Sequence, residues 1–179
     1  MEFMKEYKDK KHIVLVQSWG GQSNLSNPME VQPIGMEPLV RNWKFFDKFM
    51  EEMEKKYPKT LFIHYKLPQE KALPGTISLE KPAIWYREFA KYCDGAICID
   101  SSLQHILCGQ LKAAVLWLET RPENFGHSFH FNIDACENDL TKEEPYFSII
   151  QNRPAIIRYT GVEKMFEKLG PYLDEIKIK

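Results

Sequence analysis

The feature that most constrains this chain is a series of short, continuous apolar runs, each followed by a turn and a helix-period segment. The runs are Ile13-Val14-Leu15-Val16, Leu61-Phe62-Ile63, Ala96-Ile97-Cys98-Ile99 and Ala113-Ala114-Val115-Leu116. They do not alternate apolar with polar residues, as a strand wetted on one side would. A strand buried on both faces reads this way, and such strands belong to parallel sheets covered by helices. Between them, Trp43, Phe46, Phe49, Met50, Met53 and Tyr57 recur at helical spacing with charged residues interposed. Pro82 to Tyr92 predicts a second helix and Leu103, Ile106, Leu107 and Leu111 a third. Strand and helix therefore alternate, which predicts an α/β fold: one Rossmann-like domain spanning residues 1–179, with a mostly parallel sheet and helices on both faces.

The rest of the chain is less regular. Gln22 to Leu39 holds three prolines, two asparagines and a glycine, and reads as a long loop. Gln69 to Glu80 reads as another loop, turning at Pro74-Gly75. Phe129 to Ile133 reads as a short strand, Asp134 to Glu144 as an acidic loop, and Pro154 to Tyr159 as a strand or extended tail. Val162 to Ile176 reads as a helix broken at Gly170-Pro171.

Charge and composition exclude several roles. With 24 basic and 25 acidic residues the net charge is -1, so nonspecific nucleic-acid binding is not expected. No run approaches the length of a membrane span, and the charged start Met1-Glu2-Phe3-Met4-Lys5-Glu6 lacks a signal-like apolar stretch. A cytoplasmic protein is the expectation. Cys93, Cys98, Cys108 and Cys136 match no paired zinc spacing and read as reduced and structural, three of them in or beside core segments. His127 and His130 are three apart, but their segment reads as extended and no third ligand is evident, so no metal is predicted.

Ligands of doubly wound sheets bind at the carboxyl ends of the strands, so the residues after each run are the candidates. After the third run come Asp100, Ser101 and Ser102 at a strand-to-helix turn, an arrangement whose commoner role is a helix cap and which can also cradle a phosphate with the same donors. His105 lies about one turn further on. Ser18, Gly20 and Gly21 follow the first run, where glycines permit either a tight turn or a close approach to a ligand. Arg41 lies two residues before Trp43 and could reach a diphosphate over the sheet ends, or remain a solvated charge. Thr120 follows the fourth run. No phosphate-loop motif and no defensible Ser-His-Asp order is present.

The order of these pieces resembles the donor-binding half of the heptosyltransferase-like glycosyltransferases, family nine, of the two-domain GT-B type. The family's strand, Asp-Ser/Thr-Gly-Leu-x-His, helix, strand and Thr-x-Pro turn correspond here to Gly95 to Ile99, Asp100-Ser101-Ser102-Leu103-Gln104-His105, Ala114 to Trp117, and Thr120-Arg121-Pro122 followed by Phe125-Gly126. A strand, a glycine-containing loop and a basic residue two before a tryptophan correspond to Ile13 to Val16, Gly20-Gly21, Arg41 and Trp43. The resemblance spans residues 11–133 and implies a nucleotide-sugar donor with no metal cofactor. It places Ser101 and the amides near Ser102 on the donor pyrophosphate, Asp100 toward the sugar, Arg41 in the place of a phosphate-binding lysine, His105 in that of the motif histidine, and Glu70 near the nucleoside. Ser102 stands where the family has glycine. About ten residues precede the first strand, so the acceptor-binding lobe would come from a partner chain or a second copy. A nucleotide-sensing or sequestering module, or an interaction domain keeping only the fold, is the alternative.

Overall fold

The computed structural model describes residues 5–20, 41–66, 70–118, 122–137 and 159–178. Strand β1 (His12–Gln17) leads into a small antiparallel ribbon of β2 (Trp19–Gly20) and β3 (Arg41–Asn42). Helix α1 (Phe46–Lys56), β4 (Thr60–His64) and β5 (Thr76–Ser78) follow. Then come α2 (Ala83–Phe89), extended by a 3-10 turn at Ala90–Tyr92, β6 (Gly95–Ile99), α3 (Ser102–Leu107) and β7 (Ala113–Trp117). The last elements are the short α4 (Pro122–Phe125), β8 (Phe131–Asp134) and α5 (Val162–Glu175).

Six of these strands form one sheet in the order β5-β4-β1-β6-β7-β8, and every neighbouring pair is parallel. Numbered along the chain, that is the doubly wound order 3-2-1-4-5-6. The continuous apolar runs explain it. Successive side chains of a strand point to opposite faces, and here both faces are dry. Val14 and Val16 lie in one core cluster with Phe46, Phe49, Met50 and Met53 of α1 and Met165, Leu169 and Leu173 of α5. Ile13 and Leu15 lie in the other with Tyr86 and Phe89 of α2 and Leu103 and Leu107 of α3. The fold is thus a Rossmann-like α/β sandwich, with the sheet wholly parallel rather than mostly so.

Three details depart from the expectations. The loop predicted over Gln69 to Glu80 contains β5, an edge strand whose Thr-Ile-Ser sequence is too short and too polar to show a period. Trp43 precedes α1 by three residues instead of opening it; its buried indole N–H donates to the Thr160 carbonyl at 3.0 Å, which ties the start of α1 to the start of α5. Helix α5 runs unbroken through Gly170 and Pro171. Pro171 is exposed, and the burial of Met165, Leu169, Tyr172 and Leu173 on the other side outweighs one missing backbone bond.

Helix α5 is pinned by one hydroxyl. Tyr172 accepts from the Ala96 amide at 2.8 Å and lies 2.9 Å from the carbonyls of both Ala96 and Lys112, to which it can donate. Gly95 makes this approach possible, because a Cβ there would collide with the Tyr172 hydroxyl and stand 2.7 Å from Ile176 Cδ1. All of this happens at the amino end of β6, opposite the candidate site. Among the described residues no helix is long and apolar enough to cross a membrane. The four cysteines are free thiols. The predicted loop Gln22 to Leu39, and nearly all of the predicted segment Pro154 to Tyr159, lie outside the described residues; Tyr159 itself forms an isolated bridge with Cys136.

Candidate functional site at the strand switch point

From β1 the chain builds outward through β4 to β5, then returns to lay β6 on the other side of β1. Crossovers leave the two flanks of this point in opposite directions, and sheets of this order hold their ligands in the crevice beyond the carboxyl ends of such strands, here β1 and β6. Gln17 ends β1 there and Ser18 follows it, and Asp100, Ser101 and Ser102 follow β6.

Gln17, 6% exposed, closes the crevice with its carboxamide. Its Oε1 accepts two converging donors, the Ser101 hydroxyl and the Leu103 amide, the latter at 3.1 Å. Its Nε2 lies 3.5 Å from Ser102 Oγ. Ser101 occupies the position before α3 and its backbone is extended, but its side chain makes no capping bond. The hydroxyl goes to Gln17 instead, and Gln17 also takes the Leu103 amide that a capping residue would have satisfied. Asp100 is 1% exposed and its amide donates to the Leu116 carbonyl at 3.3 Å, which links the β6 end to β7.

On the other flank, His64 is the last residue of β4 and is completely buried. The Leu73 amide donates to its Nδ1 at 3.3 Å. Its Nε2 lies 3.3 Å from Ser18 Oγ and 4.0 Å from Glu70 Oε2. Burial first, and Lys66 second, push the His64 pKa down to about 4, so the ring is neutral near pH 7. A neutral ring whose Nδ1 accepts carries its proton on Nε2. The Ser18–His64 contact is therefore a bond donated by the histidine to the serine oxygen.

The structure brings Ser18, Asp100, Ser101 and Ser102 to one sheet edge, and sets Glu70 on its β4 flank through His64. Gly20 pairs with Arg41 across the ribbon that leaves the end of β1, so these two predicted residues are neighbours. Gly21 and Thr120 lie outside the described residues. His105 is exposed on α3 and its Nδ1 is 2.8 Å from His127 Nε2, in the connection between β7 and β8. His130, behind that pair, spends both ring nitrogens on backbone: Nδ1 accepts from the Ala113 amide at 3.2 Å and Nε2 donates to the Gln104 carbonyl at 2.7 Å. Burial, the leading cause, lowers its pKa as well. Among the described residues no group of three or more His, Cys, Asp or Glu is placed to hold a metal ion.

Gln17 and His64 are absent from the sequence-derived candidates. A signal for both was present. Each is a polar residue at the carboxyl end of an otherwise apolar run, where a buried parallel strand has no other reason to carry one.

In comparisons with known proteins, no family model, no curated protein and no solved structure matches this chain. The likeness to the donor half of family-nine glycosyltransferases therefore stands on motif order and on a fold that many functions share.

Proposed function

We propose that the chain binds the diphosphate of a nucleotide or nucleotide-sugar across the carboxyl ends of β1 and β6. The observation that carries this reading is the convergence of the Ser101 hydroxyl and the Leu103 amide on one oxygen, Gln17 Oε1, at the switch point. Two donors aimed at one point are what a phosphoryl oxygen requires. In this reading Ser18, Ser101 and Ser102 supply hydroxyl contacts, Arg41 serves the diphosphate, and Asp100 faces the sugar. Glu70 meets the nucleoside, and His105 marks the outer wall. Glycosyl transfer would need an acceptor-binding lobe as well, because transfer depends on holding acceptor against donor.

The test is thermal unfolding with nucleoside diphosphates and nucleotide-sugars. A ligand present at 100 times its Kd stabilises the folded state by about 2.7 kcal/mol. For a chain of this size that corresponds to a rise of about 5–10 °C in Tm. We expect such a rise with at least one diphosphate, lost in Ser101→Ala while the unliganded variant remains folded. No rise with any of them at millimolar concentration would refute the reading.

One observation favours a second reading, a module that keeps the fold without using the crevice. Gln17 already satisfies both converging donors, so the site is complete without a ligand. The same unfolding experiment separates the two.

A further inference from the structure

We propose that His64 is a positioning residue of this site: it turns the Ser18 hydroxyl into a hydrogen-bond donor toward the ligand, so that the crevice favours an anionic acceptor oxygen. The inference rests on the diphosphate reading and adds to it a residue outside the crevice and a rule of selectivity.

The argument follows one proton at a time. The Leu73 amide has a fixed hydrogen and can only donate, so His64 Nδ1, at 3.3 Å, is its acceptor. The neutral ring then holds its hydrogen on Nε2. Nε2 is closer to Ser18 Oγ, at 3.3 Å, than to Glu70 Oε2, at 4.0 Å, and so donates to the serine. Ser18 Oγ thereby has one lone pair filled, and its own hydrogen must point elsewhere. Ser18 is 9% exposed, at the end of β1 and next to Gln17. A buried hydroxyl whose hydrogen has been turned away from its neighbour gains by finding an acceptor. An unprotonated phosphoryl oxygen offers that acceptor with full negative charge, whereas a ligand hydroxyl meets it only as a neutral, weaker acceptor.

The same geometry excludes a hydrolytic role. A base would have to take the serine proton on Nε2, which already carries one. An orienting carboxylate would have to sit at Nδ1, where the Leu73 amide is found, and Glu70 is on the Nε2 side. The relay runs from backbone to ligand, and it makes Ser18 a fixed donor instead of a nucleophile.

Two substitutions at one position separate positioning from plain structure. H64N can keep an acceptor for the Leu73 amide while losing the donor to Ser18. H64Q can keep that donor while losing the acceptor. Calorimetric titration with ADP, GDP, CDP, UDP and pyrophosphate, together with unfolding of each unliganded variant, reads both effects. We expect H64N and Ser18→Ala to weaken binding about tenfold or more, the scale of one bond to a charged acceptor. We expect H64Q to bind within about threefold of the native chain while being the less stable of the two His64 variants, by the loss of one buried bond. Native-like binding by H64N and Ser18→Ala, beside binding by the native chain, overturns the relay and leaves the diphosphate site standing. No binding by the native chain to any probe overturns the site, and the relay with it. If the His64 variants fail to fold, nitrogen-15 spectra of the native histidine rings decide the relay: a proton on Nε2 sustains it, and a proton on Nδ1 refutes it.

Discussion

Acidification gives the sharpest test of how His64 is held. Its pKa falls from an ordinary 6.5 to about 4 in the folded chain, first because burial penalises the charged ring and second because Lys66 repels it. The unfolded chain has no such penalty. Below pH 6.5 the unfolded state therefore binds a proton that the folded state refuses, and stability falls as pH falls. The contribution is fully present above 6.5, declines through 6 and 5, and levels off below the folded value near 4. Integrating the proton difference at about 1.4 kcal/mol per pH unit gives a loss of about 3 kcal/mol between pH 7 and pH 4. Other groups titrate over that range, among them His130, whose pKa is lowered in the same sense. A difference against H64N removes them, since they are common to both proteins. Urea unfolding of both at pH 6.5, 6, 5.5 and 5 stays largely above the carboxylate range. Over that window the native chain should lose roughly 1.5 kcal/mol more than the variant. Parallel stability curves would show that His64 is charged in the folded state or titrates normally there. A ring charged in the folded state would also remove the tautomer on which the Ser18 relay depends.

Two further outcomes follow from contacts at opposite ends of β6. Tyr172→Phe deletes the hydroxyl that meets the amide and carbonyl of Ala96 and the carbonyl of Lys112, and should cost about 1–3 kcal/mol in urea unfolding while leaving diphosphate affinity unchanged. Gln17→Ala frees the Ser101 hydroxyl and the Leu103 amide; the unliganded chain should lose about 1 kcal/mol and pyrophosphate should bind several-fold more tightly by calorimetry. Weaker binding by Gln17→Ala would show that the carboxamide is itself a ligand contact.

What the chain discloses before it folds is uneven for a physical reason. Strands β1, β4, β6 and β7 are legible because burial on both faces leaves an unbroken apolar run, and the switch point follows once the strands are known to be parallel. The crevice residues after β1 and β6 were found by position alone. Their pairing was not. Whether Ser101 caps α3 or turns toward a neighbour depends on Gln17, 84 positions away, and no local pattern carries that distance. His64 was passed over differently: a single histidine ending an apolar run reads equally well as a satisfied core residue. Its role emerges only when the amide of Leu73 and the hydroxyl of Ser18 arrive on opposite nitrogens. The continuity of α5 through Pro171 was also beyond local rules, because it is held by Tyr172 reaching two strands.

The self-satisfied state of the crevice bears on which ligands can enter it. Any ligand that takes the place of Gln17 Oε1 must replace two hydrogen bonds that already exist, so a neutral acceptor gains little by the exchange. An anionic oxygen does gain, because hydrogen bonds to a charged acceptor are roughly twice as strong as those to a neutral one. The displaced carboxamide can turn outward to solvent without leaving a buried group unmet. His64 imposes the same preference on the other flank of β1 by offering Ser18 as a donor. Two independent devices on adjacent residues of one strand thus select for negative charge on an acceptor oxygen, although the chain as a whole carries a net charge of only -1. Selectivity in such a site comes from donor direction and not from a field of positive charge. Its affinity for a diphosphate should therefore change little between 50 and 300 mM salt, since directed bonds in a buried crevice are screened far less than exposed ion pairs. A decline with salt steeper than the single charge of Arg41 accounts for would instead assign the binding to surface lysines and other arginines, and the crevice would lose its claim.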